Sequence, residues 1–239
     1  MVKGKRIFSV LLIATILITA MFVIGAGCEE ETQTNGQTPP SNGQQQQPQI
    51  EMLFSDDFSD DNKGSSPDKW TSVMEDKLQA SIEGTAQDSG KYGNVVNIKG
   101  RILTTGSQSW KDYTISLDFR INTAGKGIGP EIAFYVSGDN KDYYIISSEI
   151  EPTGVEYTLY RVSDGSRTQI KKRVDYNKII DNDEWHSLKL NVKEGKLDID
   201  DQTAFEFEPV TKLTSGAIGL ATDPDGSIYY DNIAVIGIK

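Results

Sequence analysis

The strictest constraint in this chain is a period-two alternation of apolar and polar side chains that returns again and again after residue 50. In "YTISLDFRI", Tyr113, Ile115, Leu117, Phe119 and Ile121 fall on one side, while Thr114, Ser116, Asp118 and Arg120 fall on the other. "EIAFYV" sets Ile132, Phe134 and Val136 against Glu131, Ala133 and Tyr135, and "SLKLNV" repeats the pattern with Leu188, Leu190 and Val192. Successive side chains of a strand point to opposite faces, so each run predicts an antiparallel strand with one buried and one wet face.

Gly-, Asp- and Pro-containing turns punctuate these runs: "SGDNKD" at 137–142, "EPTG" at 151–154, "SDGS" at 163–166, "KEGK" at 193–196 and "DPDG" at 223–226. No apolar stripe of helical period and useful length follows Ile50, whereas residues 51–239 offer about a dozen strand-length runs. The expectation is an all-β domain, a two-sheet antiparallel sandwich. Its 189 residues suit a single domain with a sizeable core.

The front of the chain follows different rules. Lys3, Lys5 and Arg6 precede 19 uncharged residues at 7–25, and the small residues Gly25, Ala26 and Gly27 lead into Cys28, the only cysteine. A basic start, a greasy stretch and a small-residue exit are the marks of an export signal. Residues 1–27 resemble a lipoprotein signal peptide, which implies lipidation at Cys28; Gly25 stands where that pattern carries Leu, Val or Ile. An uncleaved signal anchor is the rival reading. Both put the remainder outside the cytoplasm, at the cell membrane, because positive charge stays inside. Residues 28–50 are rich in Gln, Pro, Gly and Thr, and residues 29–49 hold neither an aromatic nor an aliphatic side chain. Such a stretch cannot bury enough apolar area to fold and reads as a disordered tether, with a reach of roughly 25 Å.

Charge and composition narrow the chemistry. From Cys28 onward 21 Lys and Arg oppose 35 Asp and Glu, and the whole chain carries a net −11. An acidic surface repels nucleic acid. A single cysteine allows no internal disulfide, and the lone histidine, His186, excludes an ordinary zinc site.

Four stretches together carry a resemblance: "LFSDDFSDDNKGSSPDKW", "WKDYTISLDFRI", "DEWHSLKLNVKEGKLDID" and "SGAIGLATDPDGSIYYDNIAVIG". They resemble the concanavalin A-like lectin/glucanase superfamily, nearest to its laminin-G-like and 3-keto-disaccharide hydrolase-like jelly rolls, over residues 52–238. The resemblance implies a jelly roll whose first and last strands lie side by side. It also implies a structural calcium with Asp57 and Asp231 as side-chain ligands, where acids of "FSDDFSDD" meet "YYDN". Calcium takes six to eight hard oxygens, and a cation joins carboxylates that otherwise repel.

The superfamily binds sugars on the wet face of its curved sheet. Tyrosine rings stack on sugar rings, while Arg and carboxylates bind hydroxyls. Arg120, Glu131 and Tyr135 follow from alternation as carbohydrate-binding candidates. Tyr144 joins them from "KDYYIISSEIE", where either parity is apolar, and Arg161 from "VEYTLYRV". Trp70 and Trp185 read as core residues, and Trp110 as the closure of a groove or of the sandwich end.

Glucanases of this fold carry Glu-x-Asp-x-Glu on one strand, and no such string occurs here. In "SSEIEPTGVE", Glu149 and Glu151 share a face, but Pro152 ends the strand. His186 has no serine motif or cysteine partner around it. No residue is therefore assigned a catalytic role. The expected function is non-catalytic carbohydrate or glycan binding by a lipid-anchored extracellular domain. A glycoside-processing enzyme of the 3-keto-disaccharide hydrolase type and a structural or protein-binding surface domain are the alternatives.

Overall fold

Alternation becomes architecture most directly in β6 (Tyr113–Ile121), where buried and half-buried residues alternate without interruption along all nine positions. The computed structural model describes residues 49–73, 80–84, 93–99, 102–122, 127–178, 180–181, 184–223 and 225–238. The expected signal peptide and Cys28 lie outside the described residues, as does nearly all of the tether.

The other strands among these residues are β1 (Ile50–Asp56), β2 (Thr71–Ser72), β3 (Ala80–Gly84), β4 (Asn94–Ile98), β5 (Ile102–Thr105), β7 (Glu131–Val136) and β8 (Asp142–Glu151). They continue with β9 (Gly154–Ser163), β10 (Ser166–Asp175), β11 (Trp185–Asn191), β12 (Lys196–Ile199), β13 (Gln202–Glu206), β14 (Ala217–Ala221) and β15 (Ile228–Ile238). No α-helix occurs among the described residues.

Two antiparallel sheets result. One has eight strands in the order β13-β12-β11-β6-β15-β4-β3, with β1 added beside β15. The other has seven, β10-β9-β8-β7-β14-β5-β2. The first and last strands do pair, from Ile50 opposite Ile238 to Asp56 opposite Ile233. A register shift between Asp231 and Ala234, with Asn232 at φ 51°, lets β15 bend away from β4 and take up β1.

Between the sheets lies one continuous core. Ile115, Leu117, Phe119, Leu188, Leu190, Tyr230 and Val235 from the first sheet meet Ile132, Phe134, Tyr157, Leu159, Ile218 and Leu220 from the second. A smaller cluster of Ile102, Ala133, Val136, Ile145, Val162, Ala217 and Ala221 covers the outer face of the seven-stranded sheet. Strands β7, β8, β9 and β14 are thus apolar on both sides, which explains why their parity is hard to read from sequence.

The alternation expected for "EIAFYV" breaks at its end. Tyr135 sits at φ 52° beside a register shift, so its ring joins the core while Val136 turns to the outer face, opposite to expectation. The cause is a bonded contact between the sheets. Tyr113, fully buried, accepts a hydrogen bond from the Tyr135 amide at 2.9 Å and donates to the Ala217 carbonyl at 3.3 Å. Burial pushes its phenol pKa far up, so the hydroxyl keeps its proton. Gly216 permits the fit, because a Cβ there would lie 2.5 Å from the Tyr135 carbonyl carbon and its φ of 150° suits glycine.

Tyr113→Phe leaves the Tyr135 amide buried without an acceptor. Its expected cost is about 1–3 kcal/mol, read as a lowered urea midpoint at unchanged m-value.

Candidate functional site

On the outer face of the seven-stranded sheet, one ion pair organises the surroundings. Arg167, in β10, donates through both terminal nitrogens to the two carboxylate oxygens of Glu131, in β7, at 2.8 and 3.0 Å. Strands β8 and β9 lie between them, so the pair closes across the hollow of a curved sheet. The Arg167 guanidinium stands 5.6 Å from the centre of the Tyr160 ring. Glu131 is only 5% exposed. Half-buried Tyr143 and Tyr160 pack against the apolar patch beneath.

Farther along the same face Lys172 reaches Glu156 at 2.6 Å, and Glu156 is the register partner of Glu149. Burial and then the facing Glu156 hold the Glu149 carboxyl above its ordinary range.

The residues expected to bind sugar are distributed over four places. Glu131 lies in this hollow. Arg120 lies on the outer face of the other sheet, between the rings of Trp185 at 5.7 Å and Tyr229 at 5.1 Å. Trp185 therefore packs on that outer face and not in the main core as expected. Tyr135 is in the core for the reason given above. Tyr144 also points inward, stacked on Phe134 with ring centres 5.5 Å apart, because the inner parity of β8 is Tyr144 and Ile146 and not Tyr143 and Ile145. Its register partner Arg161 turns to the same side. The two residues meet in a groove of about 440 Å³ at the β8–β9–β10 edge, away from the outer face.

The acids of the first turn separate into different tasks. Asp56, 4% exposed, accepts bonds from the Trp70 indole and the Lys69 ammonium, both at 2.9 Å. It fastens the turn beneath a Trp70 that is buried as expected. Asp61 accepts from the Asp68 amide. Asp57 takes the Ser59 hydroxyl at 2.8 Å and its amide at 3.1 Å, which hold its pKa down.

Asp231 is buried and accepts the Asn232 amide at 2.7 Å. Burial, with Asp118, Asp57 and Asp56 nearby, pushes its pKa up to about 7. Among the described residues no three His, Cys, Asp or Glu side chains are grouped so as to hold a metal ion. The side chains present do not by themselves form the six- to eight-oxygen shell of the calcium that Asp57 and Asp231 were expected to bind.

His186 is held at both ring nitrogens, Nδ1 lying 2.9 Å from Asp200 and Nε2 3.1 Å from the Asp181 carbonyl. Asp200 also accepts the Ser187 amide at 2.9 Å and the Lys178 ammonium at 3.3 Å. With Asp201 it forms the two-residue turn between β12 and β13, both at positive φ. This is a structural clamp, and nothing in it serves as an activated nucleophile. Trp110 packs at the sandwich end against Phe54 and Tyr113.

Two sheets in this order, with a hollow outer face, define a jelly roll of the kind shared by carbohydrate-binding modules and glycoside hydrolases. A model of the 3-keto-alpha-glucoside-1,2-lyase-like domain matches residues 53–236, and the chain belongs to that family. The carbohydrate binding module CBM66 from Bacillus subtilis is similar at TM-score 0.50 and 20% identity, over 70% of this chain and 94% of that one. The beta-glucanase of Bacillus licheniformis is similar at TM-score 0.50 and 11% identity, over 78% and 97%. A Bacillus subtilis protein of unknown function with a galectin-like fold gives TM-score 0.52 and 12% identity, over 80% and 99%. No curated protein matches the chain in sequence.

Arg167, Tyr143, Tyr160, Lys172 and Glu156 form the rest of the hollow, and Arg167, Lys172 and Glu156 were not singled out from the sequence. The available signal was the cationic run of β10, "SRTQIKKRVD", unusual in so acidic a chain.

Burial raises the Asp200 pKa, but the bonds from His186 and from the Ser187 amide outweigh it and leave the carboxyl below its usual range. The stability it contributes is present above the unfolded value near about pH 4 and is lost as pH falls through the folded value. Asp200→Asn is expected to lower the melting temperature at neutral pH, with the deficit shrinking as pH falls below the ordinary carboxylate range, as followed by circular dichroism across that range.

Proposed function

We propose that this domain binds a saccharide non-catalytically in the hollow of the seven-stranded sheet, and that a lipid on Cys28 holds it outside the cell through the tether of residues 28–50. The observation that carries the reading is the Glu131–Arg167 pair spanning that hollow beside Tyr160. The pair presents fixed donors and acceptors to hydroxyls, while the tyrosine offers an apolar face to a sugar ring. Neutralisation of Glu131 by Arg167 and of Glu156 by Lys172 suits binding better than proton transfer. The carbohydrate-binding module among the similar folds supports the same reading.

A second reading has its own observation. The family description names a lyase of 3-keto-alpha-glucosides, and Glu149, whose carboxyl burial holds above its ordinary range, faces Glu156, which is ion-paired with Lys172 at 2.6 Å. A carboxyl that burial keeps protonated to higher pH can serve as a general acid.

A glycan array followed by calorimetry decides between them. Binding without turnover, weakened about 10-fold or more by Tyr160→Ala at unchanged melting temperature, is the expected result. Release of product from a 3-keto-alpha-glucoside, abolished by Glu149→Gln, establishes the second reading in its place. Lipid labelling in the producing cells is expected at Cys28 and lost in Cys28→Ser, which then leaves the membrane fraction.

A further inference from the structure

The groove at the β8–β9–β10 edge has features that the hollow lacks. Its volume of about 440 Å³ lies within the roughly 300–1,000 Å³ of ligand clefts. Tyr144 forms part of its lining, Thr168 supplies a hydroxyl, and Ile170, 51% exposed, forms an apolar wall with Val210. Arg161 enters it with a buried Nε that has no hydrogen-bond partner. Its Nη2 stands 3.7 Å from Asp142, too far for a hydrogen bond. The Arg161 side chain keeps 30% of its surface exposed, and the group that best satisfies a guanidinium is a planar oxyanion taken by two parallel N–H bonds.

Local charge agrees. Lys212 joins Arg161 in the lining, within a chain of net charge −11. Glu208 is the one carboxylate in the groove lining. With Arg161 and Lys212 against it, the lining carries a net positive charge.

We infer that this groove is a second saccharide site, selective for an acidic sugar: Arg161 takes the carboxylate of a uronic-acid residue, Ile170 and Val210 support the ring, and Thr168 and Glu208 meet its hydroxyls. The inference rests on the reading that the domain handles saccharides, and adds to it a ligand class and a place. The acidic chain end and the neutral hollow-bound portion of one glycan then engage separate surfaces of the same sandwich.

Calorimetry on the full-length protein in detergent, with an oligogalacturonate and a neutral galactan oligomer of equal length as probes, tests it. The oligogalacturonate is expected to bind about 10-fold or more tightly than its neutral counterpart, and to weaken as salt rises. Arg161→Gln is expected to remove that preference, Arg161→Lys to keep part of it, and Lys212→Ala to reduce it several-fold, all at wild-type melting temperature. Tyr160→Ala is expected to weaken the neutral oligomer and to leave the oligogalacturonate bound, so that the preference widens. Equal binding of both probes, or a preference indifferent to Arg161→Gln, overturns the inference. So does a preference lost in Tyr160→Ala, which places the acidic sugar in the hollow. If neutral glycans bind and respond to Tyr160→Ala while the oligogalacturonate does not bind, this inference alone falls; silence with every saccharide removes both it and the function proposed above.

Discussion

A carboxylate that is 5% exposed must be matched by a cation or be driven neutral, and Glu131 is matched from three strands away. Arg167 reaches it from β10, across β8 and β9, with both oxygens engaged. That tie makes the outer face of the seven-stranded sheet a hollow with a fixed floor, and Tyr143, Tyr160 and the Lys172–Glu156 pair are arranged with respect to it. Glu131 is buried while the Arg167 side chain stays 44% exposed, so the pair is shielded from solvent screening at its carboxylate end only. The charge arrangement is thereby settled before any ligand arrives, and that pre-organisation is what a saccharide site needs, since sugars offer many weak contacts and few strong ones.

The remainder of the molecule supports this face by fastening its ends. Tyr113 couples β6 of one sheet to β7 and β14 of the other through a single buried hydroxyl. Asp56 ties the end of β1 to Trp70, and Asp200 ties the β12–β13 turn to His186 and Lys178. Each uses a polar group inside or at the margin of the core, where lost partners cost most.

Strands with one wet face were legible from sequence almost residue by residue: β6 and β11 alternate as read, and the β1–β15 pairing follows from the resemblance. Parity failed where both faces are apolar. In β7 the positive φ of Tyr135 reverses the last two side chains, an outcome decided by the Tyr113 hydroxyl on a distant strand and invisible to local periodicity. Tyr144 and Arg161 turn inward together, since they are register partners and one ambiguity of parity governs both. Arg120 was placed correctly as facing outward, but which of two outward faces it shares with Glu131 depends on strand order, and alternation carries no information on that. Arg167 escaped notice because its importance comes from Glu131, 36 residues earlier.

Function therefore depends on which outer face takes the ligand. Amide chemical-shift mapping by NMR, as a saccharide ligand is titrated in, tests this most directly. The account predicts that the largest shifts fall on Glu131, Tyr143, Tyr160 and Arg167 and their strand neighbours. Shifts centred on Arg120, Trp185 and Tyr229, on the opposite sheet, would contradict it.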